Sequence, residues 1–265
     1  MHCYFFGSTA SQLYGAYHPP PITKDKLIGV LICSPAGHEY LRSHWALRQL
    51  AVRLSGEGYH VLRFDYFGTG DSAGSTAEGD PEQWIADIQT AAEELRDISG
   101  VRRINLIGLR LGASLALEAS ENIKSVNKII LWDPLISGYD FILQLHKFYE
   151  KMCAHVDYSP SGREPEQVQL PEQLLGLCLS KKMIAFIRNE SLFDLIGACK
   201  QKLCVVFSSL DTVSETDFES IEKMSEKSCI CQLIEDQGDW NSFEDIAKII
   251  YPNKIIQHIK QEIIS

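Results

Sequence analysis

The segment Gly108-Leu109-Arg110-Leu111-Gly112 sets one charged side chain between two glycines. It follows the apolar run Ile104-Asn105-Leu106-Ile107 and precedes the Ala- and Leu-rich stretch Leu111 to Ser120. A buried strand that passes at once into a helix needs a sharp turn, glycines permit it, and the central side chain is thrust out at the strand's end. A serine or cysteine there would be a nucleophile. Arg110 cannot be one, because a guanidinium stays protonated at any working pH. It can clamp a carboxylate or phosphate of a ligand through two parallel N–H donors. It can equally pair with Asp211, Asp133 or Asp239 and close the site.

Other residues with chemical reach lie near a second loop, Cys33-Ser34-Pro35-Ala36-Gly37. Cys33 or Ser34 could replace the missing nucleophile, although free cysteines are mostly core residues and no basic neighbour in the sequence would activate this one. His38 and His44 follow, and His38 is the better placed to serve as a base; the alternative is a solvated or capping histidine. Farther on, Phe141, Leu143, Phe148 and Tyr149 recur at helical spacing. They either line an apolar acyl pocket or pack on the core. Ser34, Phe141 and Phe148 are the candidates for substrate contact.

These groups need a frame to hold them. Leu27 to Cys33, Tyr59 to Asp65, Ile104 to Ile107, Lys128 to Trp132, Leu203 to Ser208 and Cys229 to Ile234 read as strands. Trp45 to Leu54, Pro81 to Ile98, Leu111 to Ser120 and about Pro252 to Ile264 read as helices. Strands alternating with helices predict an α/β fold with a doubly wound, mostly parallel sheet. Between Pro134 and Lys202 the alternation stops, and helical stretches surround a polar piece, Tyr158 to Pro165. The expected organisation is therefore a core of residues 1–133 and 203–265 with an inserted helical cap over 134–202.

Composition narrows the partners. The chain has 265 residues, 45% hydrophobic and 23% charged, with a formal net charge of −10. That charge disfavours nucleic acid or an anionic membrane as the main partner, and no segment is apolar for long enough to span a bilayer. The eight cysteines show neither paired nor zinc-type spacing, which fits reduced thiols in a cytoplasm, with no metal and no cofactor expected. No secretory signal is read at the N-terminus. A homodimer is left open.

The four islands Cys33 to Gly37, Phe64 to Ser72, Gly108 to Gly112 and strand-end Asp211 together resemble the α/β-hydrolase family, in particular its serine-aminopeptidase-like and acyl-hydrolase branch. Asp65-Tyr66-Phe67-Gly68-Thr69-Gly70-Asp71-Ser72 is similar to that branch's D-x-x-G-x-G-x-S piece, which here reads as a structural loop. The Gly-x-Arg-x-Gly turn followed by Ala113 also resembles a subgroup found beside bacterial exopolysaccharide and natural-product pathways. Carried over by position, the resemblance puts Arg110 at the nucleophile, Asp211 at the acid and Gly238-Asp239-Trp240 at the histidine loop. Only the acid is retained; the one histidine after Asp211 is His258, in the final helix.

Without serine and histidine the proton relay to a hydroxyl cannot run, and about 10²–10⁴-fold of general-base assistance is forfeited. An oxyanion hole can remain, because it is made of backbone N–H groups. By resemblance these belong to Leu111 and Ala36. The leading expectation is a protein that acts on or binds acyl (thio)esters, small or carrier-bound, in a bacterial biosynthetic pathway. Arg110 would hold an acidic substrate group, and His38, by elimination, would activate the attacking group. Asp211 would orient a base or serve as counter-ion to Arg110. The competing expectations are a sealed pseudo-hydrolase that binds a partner or ligand, and lyase or isomerase chemistry on an acidic substrate.

Overall fold

The computed structural model describes residues 1–154, 179–209, 212–224, 229–240 and 250–265. Strands β1 (His2–Phe6), β2 (Leu13–His18), β3 (Ile28–Cys33), β4 (His60–Phe64), β5 (Arg103–Leu109), β6 (Val126–Trp132), β7 (Leu203–Phe207) and β8 (Cys229–Leu233) form one sheet in the spatial order β1-β2-β4-β3-β5-β6-β7-β8. From β4 to β8 every pairing is parallel, while β2 runs antiparallel to both β1 and β4. The doubly wound, mostly parallel architecture is therefore as expected.

The helices are α1 (His38–Gly56), α2 (Pro81–Ser99), α3 (Leu111–Ser120), α4 (Gly138–Ala154), α5 (Lys181–Asn189), α6 (Leu192–Ala198), α7 (Glu215–Met224) and α8 (Asn253–Ile264). Alternation along the strands sorts the core into two layers. Leu31, Leu62, Leu106 and Leu131 meet α2 and α3 on one face. Val30, Ile32, Val61, Ile107 and Ile130 meet α1 and α8 on the other.

Two differences from the sequence reading matter. The hairpin β1–β2 was not expected, because Gly15 interrupts the apolar pattern of its second strand. The reason for the glycine is spatial: a Cβ there would stand 2.8 Å from the Phe6 ring. Helix α1 begins at His38 rather than Trp45. It starts from Gly37 at φ 65° with no side-chain cap, so the usual Ser, Thr or Asp signal is missing. The longer first turn carries Glu39 into the interior, where it is fully buried.

Helices α4, α5 and α6 lie between β6 and β7, in the stretch read as a cap. The Gly138 amide donates to the Glu190 carbonyl at 3.0 Å and the Leu192 amide to the Ile136 carbonyl at 3.1 Å, so the start of this region is tied to the junction of α5 and α6. Among the described residues no helix is long and apolar enough to cross a membrane, and no cluster of three acidic, histidine or cysteine side chains could hold a metal ion.

The Glu190 carboxyl is half buried at this junction. Burial, reinforced by the charge of Glu118 on α3, pushes its pKa up to about 7. A carboxyl raised above its unfolded value favours the native state while protonated, and that contribution is lost as pH rises toward and through about 7. Stability measured by urea denaturation between pH 5 and pH 8 should therefore fall with rising pH more steeply in the wild type than in Glu190→Gln; parallel profiles would contradict this.

Candidate functional site

The turn from β5 to α3 is built as its glycines suggest. Arg110 has φ 56° and ψ −124°, a strained backbone for a residue with a side chain. Its amide donates to the Trp132 carbonyl at 3.1 Å and its carbonyl accepts from the Ala113 amide at 2.9 Å. A Cβ on Gly112 would lie 2.4 Å from the Cys33 carbonyl oxygen, and one on Gly108 would lie 2.4 Å from the Ala113 Cα. Both positions therefore exclude any larger residue, and the start of α3 packs directly on the end of β3. Leu111 and Ala36 stand at these two ends. Among the described residues neither amide has an acceptor.

The Arg110 side chain folds inward and is only 5% exposed. Its Nε donates to Glu39 Oε1 at 2.9 Å and its Nη1 to the Asp133 backbone carbonyl at 3.2 Å. The guanidinium carbon lies 5.7 Å from the centre of the Phe141 ring, within range of a cation–π contact. Glu39 is 0% exposed, so the pair is shielded from solvent. Among the described residues Glu39 supplies the carboxylate, Asp133 contributes a backbone oxygen, and Asp239 turns its own backbone oxygen to Arg42 Nε and Nη2 at 3.1 and 2.9 Å. Asp211 lies outside the described residues. No sequence signal marked Glu39 as buried, since an acid in a first helical turn ordinarily reads as a solvated complement to the helix dipole.

Asp133 is the second centre. It ends β6 at φ 43° and is completely buried. Its carboxylate accepts from the Ser208 amide and hydroxyl, both at 2.6 Å, and from Trp240 Nε1 at 2.7 Å. Burial pushes its pKa up, while the bonds from Ser208 and Trp240 and the charge of Arg110 oppose the rise. Gly238 is required here, because a Cβ would sit 1.6 Å from the Ser208 hydroxyl. Trp240, beside Gly238, thus delivers an indole, edge-on against Trp132 at 5.4 Å. His258 bonds Gln232 from α8.

The remaining candidates separate. His38 opens α1, half buried, directly before Glu39. Phe141 is buried against Arg110, and Phe148 is half buried farther along α4. Ser34 is buried beside a cavity on the α1 side of the sheet. Cys33 is fully buried, and burial drives its thiol far above the usual range, which makes it inert. Asp65 accepts from Tyr40 Oη at 2.7 Å and the Asp71 amide at 3.1 Å, which is the structural role read for its loop.

Removing one partner of a buried pair leaves an uncompensated charge. Arg110→Ala should cost about 3–5 kcal/mol of stability in urea denaturation, with part regained in Arg110→Met/Glu39→Gln. Asp133→Asn turns an amide NH2 toward converging donors, and a loss of about 1–3 kcal/mol is expected by the same measurement. Losses under about 0.5 kcal/mol would show that neither centre organises the fold.

Solved structures similar to this chain include an esterase of Pyrococcus furiosus, 18% identical with a TM-score of 0.66, covering 99% of this chain and 87% of that one. Est1E of Butyrivibrio proteoclasticus with ferulic acid bound is 15% identical with a TM-score of 0.66, covering 98% of each chain. An α/β serine hydrolase without a lid from Xanthomonas campestris is 16% identical with a TM-score of 0.56, covering 90% and 85%. Comparison with curated proteins gives no match. The family model described as "Serine aminopeptidase, S33" matches residues 30–174, more than half of the 265 residues, and the chain belongs to this serine aminopeptidase family of α/β hydrolases.

Proposed function

We propose that this chain is a ligand-binding member of the hydrolase family, taking an acyl ester or thioester in a bacterial biosynthetic pathway without serine-type turnover. The supporting observation is the state of the elbow residue. Arg110 spends its Nε on a fully buried carboxylate, Glu39, and another N–H on the Asp133 carbonyl. A guanidinium so engaged is a structural plug. Freeing it for a ligand would leave Glu39 buried without its cation, at a cost of several kcal/mol that the ligand would have to supply. The apolar side chains of α4 and the resemblance to the acyl-hydrolase branch favour an acyl ligand, small or carrier-bound.

A second reading rests on the backbone. The Ala36 and Leu111 amides have no acceptor among the described residues, as an oxyanion hole requires. In that reading the protein is an acyl hydrolase or transferase: the two amides hold the acyl oxygen, Arg110 swings to an acidic group on the substrate, and His38 activates the attacking water or acceptor, with Asp211 orienting it.

Thiol release from short-chain, long-chain and carboxylated acyl thioesters separates the two. The binding reading expects release no faster than the protein-free control from wild type, Arg110→Ala and His38→Ala alike, together with a rise in wild-type Tm on adding an uncleaved long-chain thioester. Release by the wild type that is lost in Arg110→Ala and in His38→Ala overturns it in favour of the hydrolase.

A further inference from the structure

On the α1 side of the sheet, where β2 and β4 pass under the helix, there is a cavity of about 290 Å³. Its walls include Ser34 at the end of β3, Arg63 on β4, and Tyr40, His44 and Arg48 on three successive turns of α1. Residues four apart on a helix share one face, so α1 presents a continuous polar stripe to the space.

Arg63 is the anomaly. It occupies an inward position of a strand whose five residues are all buried, and it is itself only 9% exposed. Its Nε is buried with no hydrogen-bond partner, and no ion pair to it lies within 4 Å among the described residues. A buried guanidinium with unspent donors is costly unless something completes it. The carboxylates on the same wall do not. Asp65 has given its oxygens to Tyr40 Oη and the Asp71 amide, and Asp71 makes no ion pair with either arginine. Nearby bases register the cation. Burial first, and then nearby positive charge led by Arg63, lowers His18 to about 4. His44 is lowered by burial and then by Arg63, with Asp65 opposing.

We propose that this cavity is a binding site for a phosphoryl anion, either inorganic phosphate or the head of a small phosphate monoester. Arg63 is its buried anchor, Arg48 its second cation, and the Ser34 hydroxyl and His44 ring are neutral donors. The geometry favours a phosphoryl group over a carboxylate. One guanidinium fork satisfies a planar carboxylate, whereas donors approaching from β3, β4 and α1 enclose a tetrahedral group. The cavity exceeds the size of phosphate alone, and Leu47 and Phe64 on its wall suit a short apolar ester body. This site is separate from the Arg110 elbow and stands whether or not the acyl reading holds.

The test is isothermal titration calorimetry of the full chain at low ionic strength with inorganic phosphate, phenyl phosphate and benzoate. Saturable one-site binding of both phosphates is expected, weakened tenfold or more in Arg63→Met and in Arg48→Met and weakened further by added salt. Arg48 lies on an exposed helix face, so its variant remains informative even if Arg63→Met fails to fold. Absence of saturable phosphate binding by the wild type, benzoate binding as tight as phenyl phosphate, or phosphate binding unchanged in Arg48→Met would each overturn the proposal.

Discussion

A guanidinium at the tip of β5 must be neutralised where it stands, because it is only 5% exposed. The chain meets the requirement with Glu39, brought in by the first turn of α1. The pair fixes more than charge. It holds the uncapped start of α1 against the elbow, sets the Phe141 ring over the guanidinium and draws the Asp133 carbonyl into the same network. In a low-dielectric junction such contacts stand or fall together, since losing one leaves its neighbours buried and unsatisfied.

Asp133 extends this constraint to the far side of the site. Its backbone oxygen serves Arg110 while its carboxylate gathers Ser208 and Trp240. The loop after β8 is thereby anchored through the indole of Trp240. An imidazole can both accept and donate a proton; an indole N–H only donates. The elbow and the loop after β8 are thus held by one connected set of buried hydrogen bonds.

The frame was legible in the sequence because it is written in repeated, additive signals. The central parallel strands are built largely of buried apolar residues, and the tight packing at Gly108 and Gly112 follows from a strand turning at once into a helix. The β1–β2 hairpin was hidden because Gly15 and half-exposed positions break its period. Arg110 was legible as the odd residue of its turn, yet its partner was not. Glu39 and Arg110 are 71 positions apart, and what brings them together is the unmarked extension of α1 back to His38. Local pattern reports which face of an element is apolar; it does not report which polar group a distant element will deliver to a strand's end.

Arg110 and Arg63 make the same point from opposite sides. Both are buried cations near the carboxyl ends of strands that flank β3, in a chain with a formal net charge of −10, so carboxylates are not scarce. Asp65 is only two residues from Arg63, but it is bonded to Tyr40 and the Asp71 amide, while Arg110 receives Glu39. The difference follows the surroundings. Arg110 is paired from within the fold, and Arg63, which borders a cavity, keeps its Nε unspent. A fold that tolerates the cost of an uncompleted buried cation only where solvent or a solute can reach it is obeying one electrostatic rule at both places.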